Sequence, residues 1–248
     1  MLLFLLAYTR TAMKKASNSR KHRDMRHGAK QPEVFNPARA ALLDSPDRFE
    51  YLPPERIFAH LDAPQGALVV DFGAGTGTFS LELARRRPDL KIIALDEQPE
   101  MLKLLEAKPA VQQLPNVRPM LADEIDSLEG AADRILATNV LHELGDATLR
   151  GISRLLKPEG SLLIVDWNSA VDRAIGPPKD HTHTPDEALA RLAKAGFEGI
   201  SLEPLRYHFV VRAKPKKAKR KAGQKKSAPK KRQPNKLKRQ YRKKSGKK

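Results

Sequence analysis

Four stretches of this chain carry residues able to hold a ligand or move a proton, and each closes a short apolar run. The first reads Val69-Val70-Asp71-Phe72-Gly73-Ala74-Gly75-Thr76-Gly77. Glycines let the backbone bend sharply and approach a ligand with no side chain in the way. A dinucleotide fingerprint would place its third glycine at 78, where the chain has Thr78. Instead Asp71 stands two residues ahead of Gly73, Gly75 and Gly77, and a carboxylate there favours a cationic, amino-acid-like group over a diphosphate. The second stretch ends in Leu95-Asp96, 19 residues beyond Gly77. An acid at that place can accept from vicinal ribose hydroxyls, and hydrogen bonds to a charged acceptor are worth roughly 1.5–3 kcal/mol each. The third ends in Leu121-Ala122-Asp123, where Asp123 could reach an adenine amino group and Glu124 and Asp126 compete for the role. The fourth, Ala137-Thr138-Asn139-Val140-Leu141-His142-Glu143-Leu144, is a polar cluster at a strand end. His142 in it is either a general base or simply a polar edge residue.

The elements that must position these residues alternate along the chain. Pro54, Ile57, Phe58 and Leu61 predict a short helix over about 54–61. Apolar runs predict strands at 67–72, 91–96, 116–121, 134–138 and 161–167. Phe79, Leu83 and Ala84 mark a helix stopped by Pro88, Met101, Leu104 and Leu105 mark another, and Leu149, Ile152 and Leu156 a third. Thr184-Pro185-Asp186-Glu187 reads as a capping box, with Gly196 placed to end the helix. Two closing strands, about 199–203 and 207–212, lie too close together for a crossover helix and should pair as an antiparallel hairpin. Together these predict an α/β fold: a doubly wound, mostly parallel seven-stranded sheet with a C-terminal antiparallel hairpin. Its carboxyl edge is where open sheets of this kind bind ligands.

Charge divides the 248 residues into three parts. Residues 212–248 carry 20 Lys/Arg and no acid, residues 1–32 carry eight basic residues and one acid, and residues 33–211 hold 19 basic against 28 acidic residues. The net +18 and pI near 10.1 thus describe two basic flanks around a mildly acidic segment. The expected organisation is a disordered basic lead over 1–32, a globular domain over 33–212 and a disordered Lys/Arg-rich tail over 213–248. Twenty positive charges attract phosphate without regard to sequence, so the tail suggests RNA or DNA contact, with a merely solubilising run as the plain alternative. The absence of cysteine excludes disulfides, thiolate chemistry and cysteine-ligated metal. His181 and His183 alternate with no clear third ligand, so no metal is expected, and Trp167 reads as packing. Met1–Tyr8 is apolar but too short to span a bilayer, and a true start at Met13 or Met25 would remove it. The expected location is cytoplasmic.

In this order and spacing the motifs resemble class I S-adenosylmethionine (SAM)-dependent methyltransferases, in particular the small-molecule branch that includes ubiquinone/menaquinone methyltransferases with a type 11 domain. The resemblance covers roughly 36–211. It rests on Asp71–Gly77, on Asp96 with Pro99-Glu100-Met101-Leu102, on Asn139-Val140-Leu141-His142-Glu143, and on Leu155-Leu156-Lys157-Pro158-Glu159-Gly160-Ser161-Leu162. Glu159 stands where the family more often has a second glycine. The resemblance implies a Rossmann-like domain with SAM as cofactor and S-adenosylhomocysteine (SAH) as product. It implies Asp71 facing the methionine amino group, Gly73, Gly75 and Gly77 beneath the cofactor, Asp96 on the ribose hydroxyls, Asp123 near the adenine and Asn139 beside the methionine moiety.

Methyl transfer from a sulfonium asks mainly for alignment, so no catalytic base is required. Without cysteine, cysteine-adduct C5 methylation of pyrimidines and thiolate-bound arsenic methylation are excluded. Asn139-Val140-Leu141-His142 is not the Asn/Asp-Pro-Pro-aromatic signature of exocyclic-amine methyltransferases. An oxygen, nitrogen or activated carbon acceptor remains, a small molecule foremost. The alternatives are an RNA-directed methyltransferase delivered by its tail and a non-catalytic nucleic-acid-binding protein that kept the fold.

Overall fold

A computed structural model describes residues 35–216. The expectations of disorder for 1–32 and for most of the tail lie outside these residues. Seven strands form one sheet: β1 Leu68–Phe72, β2 Lys91–Asp96, β3 Val117–Leu121, β4 Ala132–Thr138, β5 Leu156–Trp167, β6 Phe197–Leu202 and β7 His208–Pro215. Their spatial order is β3-β2-β1-β4-β5-β7-β6. The first five pair in parallel, whereas β7 runs antiparallel to both β5 and β6. The order reverses at β1, so the loops after β1 and β4 diverge and leave a crevice at the carboxyl edge.

Alternation along the strands explains why they read as nearly continuous apolar runs. Val70, Ile135, Leu162, Ile164 and Val211 face one way, where they pack with α6 (Asp146–Leu155) and α7 (Pro185–Lys194). Val69, Ile92, Leu136, Leu163 and Val165 face the other way, against α2 (Pro54–Leu61), α3 (Thr78–Arg86) and α4 (Pro99–Glu106). Both faces are buried, so no polar face is left for the parallel strands to show. Short helices α1 (Arg48–Tyr51) and α5 (Pro109–Gln113) and a 3-10 segment at Pro37–Asp44 complete the preamble and the rim. The capping box is formed: Glu187 N donates to Thr184 Oγ1 at 3.2 Å and Thr184 N donates to Glu187 Oε2 at 2.8 Å.

Two boundaries differ from the sequence reading. Leu156 is not the last residue of α6 but the first of β5, with φ −78° and ψ 141°. Pro158 drives the residue before it out of the helical region, and the chain has already turned extended at Leu156. The strand then bulges: β4 advances from Ala132 to Arg134 while β5 advances from Leu156 to Ser161. A Cβ on Gly160 would stand 2.9 Å from Ala132 O, so the bulge needs a glycine there. The closing hairpin starts earlier and ends later than expected, at Phe197 and Pro215. Phe197 and Phe209 are fully buried, and β7 lies between β5 and β6, so it continues past 212 to Pro215. Lys216 N then donates to Gly196 O at 2.8 Å. Residues 213–216 therefore belong to the folded unit and not to the tail.

Candidate active site

The loop after β1 is held by its neighbour strand before any ligand is considered. Gly73 N and Ala74 N both donate to Leu95 O, at 2.8 and 3.0 Å, and Gly75 N donates to Asp96 Oδ2 at 2.7 Å. Gly73, Gly75 and Gly77 all adopt positive φ, at 74°, 56° and 74°. The space their missing side chains leave is filled by protein. A Cβ on Gly73 would stand 2.6 Å from Val140, one on Gly75 3.1 Å from Leu43, and one on Gly77 would overlap Leu105. Gly73 and Gly75 border the crevice, whereas Gly77 lies behind it against α4.

Asp71, Asp96 and Asn139 converge on this crevice with the two glycines. Asp71 is buried and accepts from Ser80 Oγ at 2.6 Å. Burial pushes its carboxyl up to about 6, opposed by Ser80 and reinforced by the nearby charge of Asp96. Asp96 is 8% exposed and also accepts from Gln98 N at 2.9 Å; burial raises its pKa against these backbone donors. Asn139 takes a left-handed φ of 57°, a conformation that asparagine tolerates better than most residues. Its Oδ1 is buried without a partner. Asp123 is exposed and stands outside the crevice, while Ala122, Ile125 and Asp126 of the same 3-10 segment line it.

The preamble, beyond its helix, carries signals that sequence reasoning passed over. Asp44 Oδ1 accepts from Thr76 Oγ1 at 2.6 Å, Thr78 Oγ1 at 2.7 Å and Lys108 Nζ at 2.6 Å, which pins the preamble over the glycine turn. Arg48, 8% exposed, donates to Leu43 O at 2.6 Å and lies over the Phe79 ring at 5.4 Å. Phe35 N donates to Glu143 Oε2 at 3.3 Å and Phe35 O accepts from Gln98 Nε2 at 3.0 Å.

Sequence reasoning also left Asp166 unread. It stands one residue before the end of the most hydrophobic strand, β5, close to where Asp96 stands on β2, and the same strand-end rule would have found it. His142 Nδ1 lies 2.8 Å from Asp166 Oδ1, and His142 N donates to Asp166 Oδ2 at 3.0 Å. Burial works to lower the His142 pKa, but the charge and hydrogen bond of Asp166, with help from Glu143, hold it above the usual 6.5. Asp166 itself is held low by His142 and by the Trp167 and His142 backbone amides despite burial. Among the described residues no group of three or more His, Asp or Glu is placed to hold a metal ion. His183 Nε2 meets Arg191 Nη1 at 2.6 Å, and His181 is exposed.

Glu143 provides a test of this electrostatic picture. Burial pushes its carboxyl up to about 7, which His142 and Phe35 N only partly oppose. A carboxyl raised in the folded state stabilises the fold below its unfolded value near 4.5, and that contribution is lost as pH rises through 7. Glu143→Gln removes this loss. Relative to the parent chain, its melting temperature should climb by several degrees between pH 5 and pH 8, equivalent to about 2 kcal/mol. Melts at the two pH values check this, and a constant difference would contradict the burial of the charge.

The crevice has a volume of about 2730 Å³, against roughly 300–1,000 Å³ for a site holding one small molecule. Residues 69–160 match the family described as methyltransferase domain. A SAM-dependent methyltransferase structure from Aquifex aeolicus superposes with a TM-score of 0.67 at 28% identity, over 73% of this chain and 98% of that one. In sequence and in fold the chain is similar to SAM-dependent methyltransferases, with a methyltransferase domain matched over 69–160. Trans-aconitate 2-methyltransferase of Deinococcus radiodurans is 34% identical over 166 residues, covering 66% of this chain and 54% of that protein. Dimethylglycine N-methyltransferase of Parasynechococcus marenigrum is 31% identical over 146 residues, covering 56% and 52%. The chain thus spans about half the length of these curated relatives. The donor set fits the cofactor of a class I methyltransferase: a buried carboxylate raised by desolvation, a second strand-end carboxylate, and an unpartnered amide oxygen on one edge. No helix among the described residues of this methyltransferase domain is long and apolar enough to cross a membrane.

Proposed function

We propose that this chain is an enzyme that transfers a methyl group from SAM to an oxygen, nitrogen or activated carbon of a small molecule. The unpartnered Oδ1 of Asn139, buried beside Asp71 and the β1 glycines, carries the reading, because a buried amide oxygen without a donor calls for one from a ligand. Asp71, whose buried charge Ser80 only partly compensates, would take the ammonium of the methionine moiety. Gly73 and Gly75 would lie beneath it, and Asp96 would accept from the ribose hydroxyls through lone pairs that Gly75 N and Gln98 N do not use. Asp126 is better placed than Asp123 for the adenine end, since it lines the crevice. Gly77 supports the turn from behind. When bound, SAM supplies a methyl group already activated on a sulfonium, so the residues here have chiefly to orient it and exclude water.

The volume of the crevice favours two ligands side by side, a cofactor and a small acceptor. Transfer of label from methyl-tritiated SAM to a panel of small acceptors tests the activity. The +20 charge of residues 212–248 supports a second reading, delivery to RNA. Chains with and without 217–248 separate the two. Small-molecule turnover should survive the deletion unchanged, whereas RNA methylation should weaken and lose its salt dependence. The cysteine-free composition is consistent with a cytoplasmic protein, which cell fractionation would check.

A further inference from the structure

Beyond the cofactor donors, one wall of the crevice is built of rings. Leu136, Val165 and Val210 share one face of the sheet, and alternation puts Thr138, Trp167 and His208 on that face, two residues along each strand. The Trp167 ring centre lies 4.1 Å from that of His208 and 6.0 Å from that of Tyr51, the last residue of α1. Tyr51 in turn lies 5.9 Å from both His208 and Tyr207. Trp167 is closed in, because the Arg173 guanidinium covers its ring at 5.0 Å and a Cβ on Gly176 would stand 2.9 Å from it. His208 is fully buried, and burial pushes its pKa down to about 3, so it stays a neutral ring. Tyr51 and Tyr207 are half-buried and line the crevice, so they present the open part of the cluster. Thr138 adds a buried hydroxyl to the lining, with no partner among the described residues.

The charge at this wall is placed rather than general. Arg206 seats its guanidinium over the Tyr207 ring at 4.9 Å and has no ionic partner among the described residues. Glu203, the acid on the same turn, is taken by Arg56 at 2.9 Å. Arg39 lines the crevice from the 3-10 segment and is likewise unpaired among the described residues. Arg173 is committed to Ile175 O, Pro177 O and Thr182 Oγ1, and Arg48 to Leu43 O. Asp47 and Glu50 line the same crevice, so no field of one sign selects the ligand. A planar cation seated on a ring does. Its parallel donors match a carboxylate, and the neighbouring rings favour offset or edge contact with another ring.

We propose that the methyl acceptor of this site is a planar aromatic acid, its ring against Tyr51 and Tyr207 and its carboxylate held by Arg206. This rests on the methyltransferase reading and deepens it by naming the acceptor class. With the carboxylate at Arg206, a second substituent of the ring is left to face the cofactor. The tyrosines supply contact area and Arg206 supplies the choice of charge, so the two contributions separate. Losing the guanidinium removes the preference for an acid but spares a neutral ring of the same shape. Losing the Tyr207 ring weakens both.

Calorimetric titration of the SAH-saturated full-length chain with three probes of similar shape tests this. They are 3-hydroxybenzoate, its neutral amide 3-hydroxybenzamide, and the saturated acid 3-hydroxycyclohexanecarboxylate. The aromatic acid should bind about tenfold more tightly than either of the others. Trp167 is the sole tryptophan of the chain, and its emission should change as the aromatic acid binds. Arg206→Gln should weaken 3-hydroxybenzoate to the level of the amide, with affinity for the amide and for SAH unchanged. Tyr207→Leu should weaken acid and amide alike by about 2–10-fold, again with SAH affinity kept. Equal affinity for acid and amide, equal affinity for aromatic and saturated acids, a silent Trp167, or an undiminished preference for the acid in Arg206→Gln would overturn the proposal. So would binding of none of the three by a chain that binds SAH. Failure to bind SAH at all would instead sink the methyltransferase reading beneath it.

Discussion

Gly77→Ala should lower the melting temperature by roughly 6–15 °C. Two effects add. A non-glycine residue at φ 74° costs about 1–2 kcal/mol, and the new Cβ would overlap Leu105, which is fully buried in α4. Overpacking of that kind costs typically about 1–3 kcal/mol. Gly130→Ala isolates the first effect, because Gly130 has φ 65° with nothing within 4 Å of the added atom. Thermal melts of the two variants should therefore differ by the overlap alone. Equal losses would mean that Gly77 is required only for its conformation.

Asp96→Ala should weaken SAH binding by about 100-fold or more while leaving a folded chain. The ribose hydroxyls would lose a charged acceptor, at roughly 1.5–3 kcal/mol per hydrogen bond. The glycine turn would also lose its anchor, since Gly75 N and Gln98 N both donate to this carboxylate. Asp96→Asn, which keeps one acceptor oxygen, should fall between the two. Titration calorimetry checks the series. Undiminished binding by Asp96→Ala would remove Asp96 from the cofactor site.

What could be read from sequence divides along physical lines. Strands such as Val69–Phe72 and Lys91–Asp96 are legible because both faces are buried and the whole run must be apolar. The capping box at Thr184 is legible because its hydrogen bonds close within three residues. The end of α6 was misplaced by one residue because Leu156 is apolar in either state; Pro158, not hydrophobicity, decides. The tail boundary at 212 followed composition, yet Ala213, Lys214 and Pro215 pair with β6, and strand pairing does not show in composition. Asp71, Asp96 and Asn139 were singled out by strand-end position, and that position brings them to one edge. Asp123 was drawn by the same rule, but the 3-10 turn after β3 carries it outward and brings Asp126 in. The contacts of Asp44 and Phe35 join residues 32 to 108 positions apart, which no local pattern reveals. The glycines were read as room for a ligand, whereas much of that room belongs to Val140, Leu43 and Leu105.

The central claim is that the carboxyl edge of this sheet holds SAM. Calorimetric titration of SAM and SAH into the full-length chain tests it most directly, beside a fragment ending at 216, not at 211, which would cut through β7. Micromolar-range binding of both ligands to both chains, one per chain, is the predicted result. A chain that melts cooperatively yet shows no heat with either ligand would contradict the account, whatever the resemblance of its fold.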